Sequence, residues 1–164
     1  MDRKLRFNKA FSLTETMLVL AIMAILSGLL HVNIKSRRQE AEIKNIVECV
    51  KIYEATVQMF YLHNNGVFPI ITNEAKLESV EALERFRPEN FSTDSLIKSE
   101  SCTGVCYYIS GIKIAIKIEL QGNATKFRDK VVKVLKEHCI ADQVSYGTGY
   151  IYYYLRDNEG TIYI

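Results

Sequence analysis

Residues 11–30 read FSLTETMLVLAIMAILSGLL. As an α-helix these twenty residues would extend about 30 Å, the thickness of the hydrocarbon core of a bilayer. From Thr16 to Ile34 no residue carries a formal charge, whereas most of the remaining sequence has an ordinary soluble composition. A cleaved secretory signal would have a shorter, uncharged apolar region followed by small residues three and one before the cut. Here Glu15 lies inside the run, and the apolar stretch passes into Lys35-Ser36-Arg37-Arg38 with no such site. The stretch therefore reads as a retained membrane span.

Working outward, the ten residues before the span hold Arg3, Lys4, Arg6 and Lys9 against Asp2, a charge of +3. The whole chain of 164 residues carries +2, so residues 11–164 are near −1. Beyond the span the clustered cations are Lys35, Arg37 and Arg38, and phosphate binding needs a denser basic patch, so nucleic acid is not expected as a partner. The length suits one modest globular domain plus one extended element, which argues against a two-domain enzyme. Glu15 needs a reason to sit in an apolar run, because a carboxylate at the bilayer centre costs about 2.5–3.5 kcal/mol on insertion scales. One reading is a first-turn glutamate facing the positive helix end; the other is a partner for a positive charge on a neighbouring chain.

The residues KAFSLTETMLVLAIMAIL resemble the prepilin cleavage and methylation motif of type IV pilins and of the pseudopilins of type II secretion systems. The likeness lies in a short basic leader, a small residue at the cut (Ala10), Phe11 as first mature residue, Glu15 four positions on, and an unbroken apolar helix. It implies a leader over residues 1–10, cleavage between Ala10 and Phe11 by a membrane aspartyl peptidase, methylation of the new Phe11 amine, and assembly through Glu15. It further implies residence in a bacterial inner membrane, with the N-terminus cytoplasmic and the head periplasmic or extracellular. The implied partners are the prepilin peptidase, other pilin or pseudopilin subunits, the inner-membrane assembly platform and membrane lipid. No catalytic residue, cofactor or metal is implied. Ala10 stands where the family usually has Gly, and Val32 where many major pilins carry Pro, which turns the expectation toward a minor pilin or pseudopilin. The alternatives are a competence pseudopilin for DNA uptake and a single-pass, membrane-tethered binding domain that never assembles.

An α+β head is expected on a long helix. Ile43, Ile46, Val47, Val50, Tyr53, Val57, Phe60 and Tyr61 recur at spacings of three and four, which continues the span (residues 11–34) through an extramembrane half (35–65). Asn64-Asn65-Gly66 and Pro69 stop it, for a helix from about residue 13 to 63, roughly 75 Å long. In the head (66–164), Asn73 is expected to cap a helix presenting Leu77, Val80, Leu83 and Phe86, with an irregular loop over 89–104. IKIAIKIEL at 112–120 alternates as a half-buried strand does, paired with Val105–Ile109 across Ser110-Gly111. Asn123 should cap a helix to about Cys139, and Tyr150–Leu155 should close a hairpin with Thr161–Ile164.

Cys49, Cys102, Cys106 and Cys139 are candidates for disulfides if the head is exported, with connectivity open. Cys102 and Cys106 with His138 and Cys139 form an alternative zinc set. His31, His63 and His138 are too scattered for a catalytic base. The tyrosines at 146, 150, 152, 153 and 154 are divided between strand packing and an aromatic surface.

Overall fold

The computed structural model describes residues 12–97, 101–122, 125–138, 143–157 and 159–163. The leader, Ala10, Phe11 and Cys139 lie outside them. Helix α1 runs Leu13–His63 and contains no proline. It stops where expected: Asn65 and Gly66 take φ of 53° and 79°, Asn64 Nδ2 donates to Phe60 O at 2.8 Å, and the Gly66 N–H donates to Tyr61 O at 2.9 Å. A side chain at Gly66 would meet the Tyr61 hydroxyl at 3.3 Å and be strained by the positive φ.

The chain divides into two compact units, one ending at Arg38 and the other starting at Gln39. In the first, every described residue is exposed on the helix surface. In the second, α1 contributes a buried stripe of Ile43, Ile46, Val47, Cys49, Val50, Tyr53 and Val57. The stripe packs on an antiparallel sheet of order β1-β2-β3-β5-β4, comprising β1 (Glu74–Ala75), β2 (Cys102–Ser110), β3 (Lys113–Leu120), β4 (Val144–Gly147) and β5 (Tyr150–Arg156). The expected alternation places β3 at the centre. Val105, Ile118 and Ile151 form one inward row of the ladder, and Tyr107, Ile116 and Tyr153 the next. Helix α3 (Thr125–His138) closes the core with Phe127, Val131, Val132 and Leu135. The architecture is α+β, a long N-terminal helix with a small antiparallel-sheet head.

Three local expectations are corrected. Residues 73–88 are not one helix: Asn73 has φ of 64°, outside the extended region an N-cap needs, and its carbonyl accepts from the Ile109 N–H at 2.8 Å. Two 3₁₀ turns, Leu77–Ser79 and Glu81–Leu83, follow β1. The inward residues Leu77, Val80 and Leu83 recur every three positions, which suits three residues per turn as well as an α-helix. The stretch 89–104 is also less irregular than expected, holding helix α2 (Thr93–Leu96) and the first residues of β2. Finally, the hairpin that places β5 in the sheet is formed with β4 across Thr148-Gly149, while the expected pairing with Thr161–Ile164 is smaller: among the described residues it comprises the bridge Arg156–Ile162 and hydrogen bonds from the Tyr163 N–H to Leu155 O at 3.0 Å and from the Asp157 N–H to Thr161 O at 3.1 Å.

One hydroxyl ties these pieces together. Tyr53 Oη, fully buried, lies 2.8 Å from both Val105 O and Thr93 Oγ1 and accepts from the Leu77 N–H at 3.0 Å. It thereby joins α1, β2, α2 and the first 3₁₀ turn.

Candidate functional site

The feature that sets this chain apart is the first half of α1. It is long and apolar enough to cross a membrane, and nothing in its most apolar window is buried. Ser12 and Glu15 form a reciprocal cap at its start: the Ser12 N–H donates to Glu15 Oε2 at 2.9 Å, and the Glu15 N–H donates to Ser12 Oγ at 3.2 Å. This is a capping box, which satisfies two helix-end donors and places a negative charge at the positive end of the helix. The spacing Ser-x-x-Glu predicts this geometry, which the charge of Glu15 taken alone does not. Thr16 Oγ1 donates to Leu13 O at 2.8 Å, so the hydroxyls of this turn are turned inward along the helix. Glu15 Oε1 has no hydrogen-bond partner among the described residues and stays available to a cation.

The cysteines are separated by the sheet. Cys49 and Cys102 are buried in the same core, while a bulge between Cys102 and Gly104 shifts the register so that Cys106 faces outward, opposite Lys117. Four residues of strand also span roughly 13 Å, well beyond a disulfide's reach of about 7 Å between Cα atoms. Cys102 and Cys106 can therefore neither bond to each other nor share a metal ion, which removes both the short-loop disulfide and the proposed zinc half-site. Among the described residues no group of three His, Cys, Asp or Glu could hold a metal. Burial pushes the Cys49 and Cys106 thiols up to about 12, with the Glu74 carboxylate adding to the effect at Cys106, so neither is a ready nucleophile. His138 Nδ1 lies 2.8 Å from Val134 O, and His63 stands edge-on to Phe86 with centroids 5.6 Å apart. Nothing groups the histidines.

The tyrosines divide. Tyr153 enters the core and donates to Glu54 Oε1 at 3.0 Å. Tyr150, Tyr152 and Tyr154 stand on the outer sheet face with Tyr108, their neighbouring rings 5.0–6.1 Å apart. Beneath them Lys117 bridges Glu74 at 2.7 Å and Glu119 at 2.8 Å. Tyr146 instead lies against α3, with Arg128 and Lys136 over its ring at 5.1 and 5.8 Å. The lysines of α3 are interleaved with apolar residues along the sequence, and Lys126, Lys130 and Lys133 come onto one exposed side only in the helix.

No protein-family model, curated protein or solved structure matches this chain.

Proposed function

We propose that this chain is a structural subunit of a type IV pilin-like filament, a minor pilin or pseudopilin, cleaved before Phe11 and assembled through the first half of α1. The observation that carries the reading is Glu15 at the start of α1, ahead of an exposed apolar stretch from Thr16 to Ile34 with no formal charge. A plain membrane tether needs no such carboxylate. In a helical bundle that excludes water, Glu15 would meet the new Phe11 amine of a neighbour, and a misplaced stagger would leave both charges unmatched, so the pair selects axial register. The second half of α1 is consistent with the same reading, since its buried stripe builds it into the head. In this proposal the N-terminus is cytoplasmic, the head lies beyond the membrane, and the partners are the peptidase, other subunits and the assembly platform.

Mass spectrometry of the protein extracted from host membranes is the direct test. The expected N-terminal peptide begins at Phe11 with a methylated amine, and Ala10→Leu, which crowds the scissile bond, should leave the uncut precursor. A mature chain that retains Met1 or begins elsewhere would overturn the proposal.

A further inference from the structure

Cys49 and Cys102 have no part in the proposed function, and both lie inside the head. Cys49 is on the buried stripe of α1, four residues before Tyr53 and so one turn earlier on the same side of the helix. Cys102 is 3% exposed and is paired with Leu120, which places it on the inward face of the sheet, one row from Val105, Ile118 and Ile151. The 2.8 Å contact between Tyr53 Oη and Val105 O sets the level of the helix against the strand. In the other direction the Tyr107 hydroxyl meets Pro69 O, just past the end of α1, at 3.5 Å, and Glu54 meets Tyr153 of the Tyr107 row, so α1 and β2 run in the same sense. From the Tyr53 contact, Cys49 is one turn back along the helix, about 6 Å, and Cys102 one inward row back along the strand, about 6.6 Å. The matching offsets bring the two sulfurs to the same level of the α1–β2 interface. Burial first, and then the Cys102 sulfur, pushes the Cys49 thiol up to about 12. Burial likewise pushes Cys102 up to about 11 against its contact with Gly104 O, with Glu119 and then Glu42 of α1 adding to the rise. Cys106 is on the opposite face of the sheet, beside Lys117 and 3.9 Å from Glu74 Oε2.

We propose that Cys49 and Cys102 are the pair that forms a disulfide in this head, tying α1 covalently to β2. Both are thiols in the structure, and the Cys102 S–H reaches Gly104 O at 3.5 Å, a weak contact that rotation about χ1 gives up. The oxidant is an external disulfide. The Cys102 thiolate displaces one thiolate from it, and the Cys49 thiolate then displaces the other from Cys102 Sγ. Two S–H bonds are lost as two protons, one S–S bond forms, and the oxidant's S–S bond becomes two thiols. Because both sulfurs are buried and poorly ionised, the exchange takes place while the head folds or opens locally. The bond closes a loop of about fifty residues, long enough to remove much of the freedom of the unfolded chain. Oxidation in the host rests on the proposed placement of the head beyond the membrane, whereas the pairing itself does not.

The test uses the full chain in non-ionic detergent with Cys106→Ser, because no lysine or arginine separates Cys102 from Cys106 and trypsin would leave both on one peptide. The chain is refolded with oxidised glutathione, its remaining thiols are alkylated, and tryptic peptides are read by mass spectrometry without reduction. Peptides 45–51 and 99–113 should appear joined and should separate on reduction. In circular-dichroism melts the oxidised chain should unfold about 10–15 °C above the reduced one, and Cys49→Ala should abolish that difference. Recovery of Cys49 in alkylated form, or its linkage to Cys139, would overturn the inference. So would a link between Cys49 and Cys102 that fails to raise the melting temperature, since the fold would then not hold the two sulfurs face to face. Blocking thiols with N-ethylmaleimide in host cells before lysis separates this inference from the proposed function. A link that glutathione makes but that is absent from cells would uphold the pairing and count against the exported placement of the head.

Discussion

Glu15 has two possible roles that ordinary deletion cannot separate, because Glu15→Val removes a helix cap and a charge together. Ser12→Ala separates them. It takes away the acceptor of the Glu15 N–H, seen at 3.2 Å, while the carboxylate keeps the Ser12 N–H at 2.9 Å and its charge. Loss of an N-cap side chain costs about 1 kcal/mol, roughly a fivefold shift in an equilibrium. Removing one member of a buried ion pair costs about 3–5 kcal/mol, two to three orders of magnitude or more, because the remaining charge is buried without a counterpart. In the proposed filament that remaining charge is the neighbour's Phe11 amine. Both variants should insert and be processed normally. Site-specific crosslinking between subunits should then show Ser12→Ala reduced several-fold at most and Glu15→Val close to absent. If the two variants are impaired equally, or if Glu15→Val crosslinks like the wild type, Glu15 serves only as a cap and the register argument fails.

Two further outcomes follow from the head. Tyr53→Phe should destabilise it by about 2–4 kcal/mol, since the Leu77 N–H and Val105 C=O lose their shared buried partner, and the melting temperature should drop by about 6–15 °C. Tyr107→Phe, whose hydroxyl reaches only Pro69 O at 3.5 Å among the described residues, should cost less than about 1 kcal/mol; equal effects in thermal melts would discredit the Tyr53 hub. Glu54 is held above the usual carboxylate range by desolvation, against the opposing hydrogen bond from Tyr153. A raised folded pKa gives a contribution that is full in acid and is lost as pH rises through that value, so Glu54→Gln should stabilise the head in urea melts near neutrality and make no difference in acid. A variant that is less stable than wild type at neutral pH would show that the charge is not a liability.

The features legible in the sequence are those set by local periodicity. An uncharged apolar run, followed by a stripe at spacings of three and four and then Asn-Asn-Gly, determined where α1 begins and ends, because helix geometry and the left-handed stop are properties of neighbouring residues. The strict alternation of IKIAIKIEL likewise determined β3, since only a strand presents every second residue to a core. The capping box of Ser12 and Glu15 was equally local and readable. Tertiary structure alone decided the rest. The separation of Cys102 from Cys106 depends on a bulge that exists only against β3, and a one-residue slip sends a side chain to the other face. Strand β4 is four residues long and too short to carry a period of its own, so it is defined by β5 beside it. The 3₁₀ turns stand in place of a helix because Asn73, at positive φ, is not an N-cap there and its carbonyl accepts from the Ile109 N–H across the chain. The exposed lysines of α3 took one side once burial of Phe127, Val131 and Leu135 had fixed which way they point, and the same packing brought Tyr146 against Arg128 and Lys136. Pairings between residues far apart in the chain leave no periodic trace, so the sequence alone could not show them.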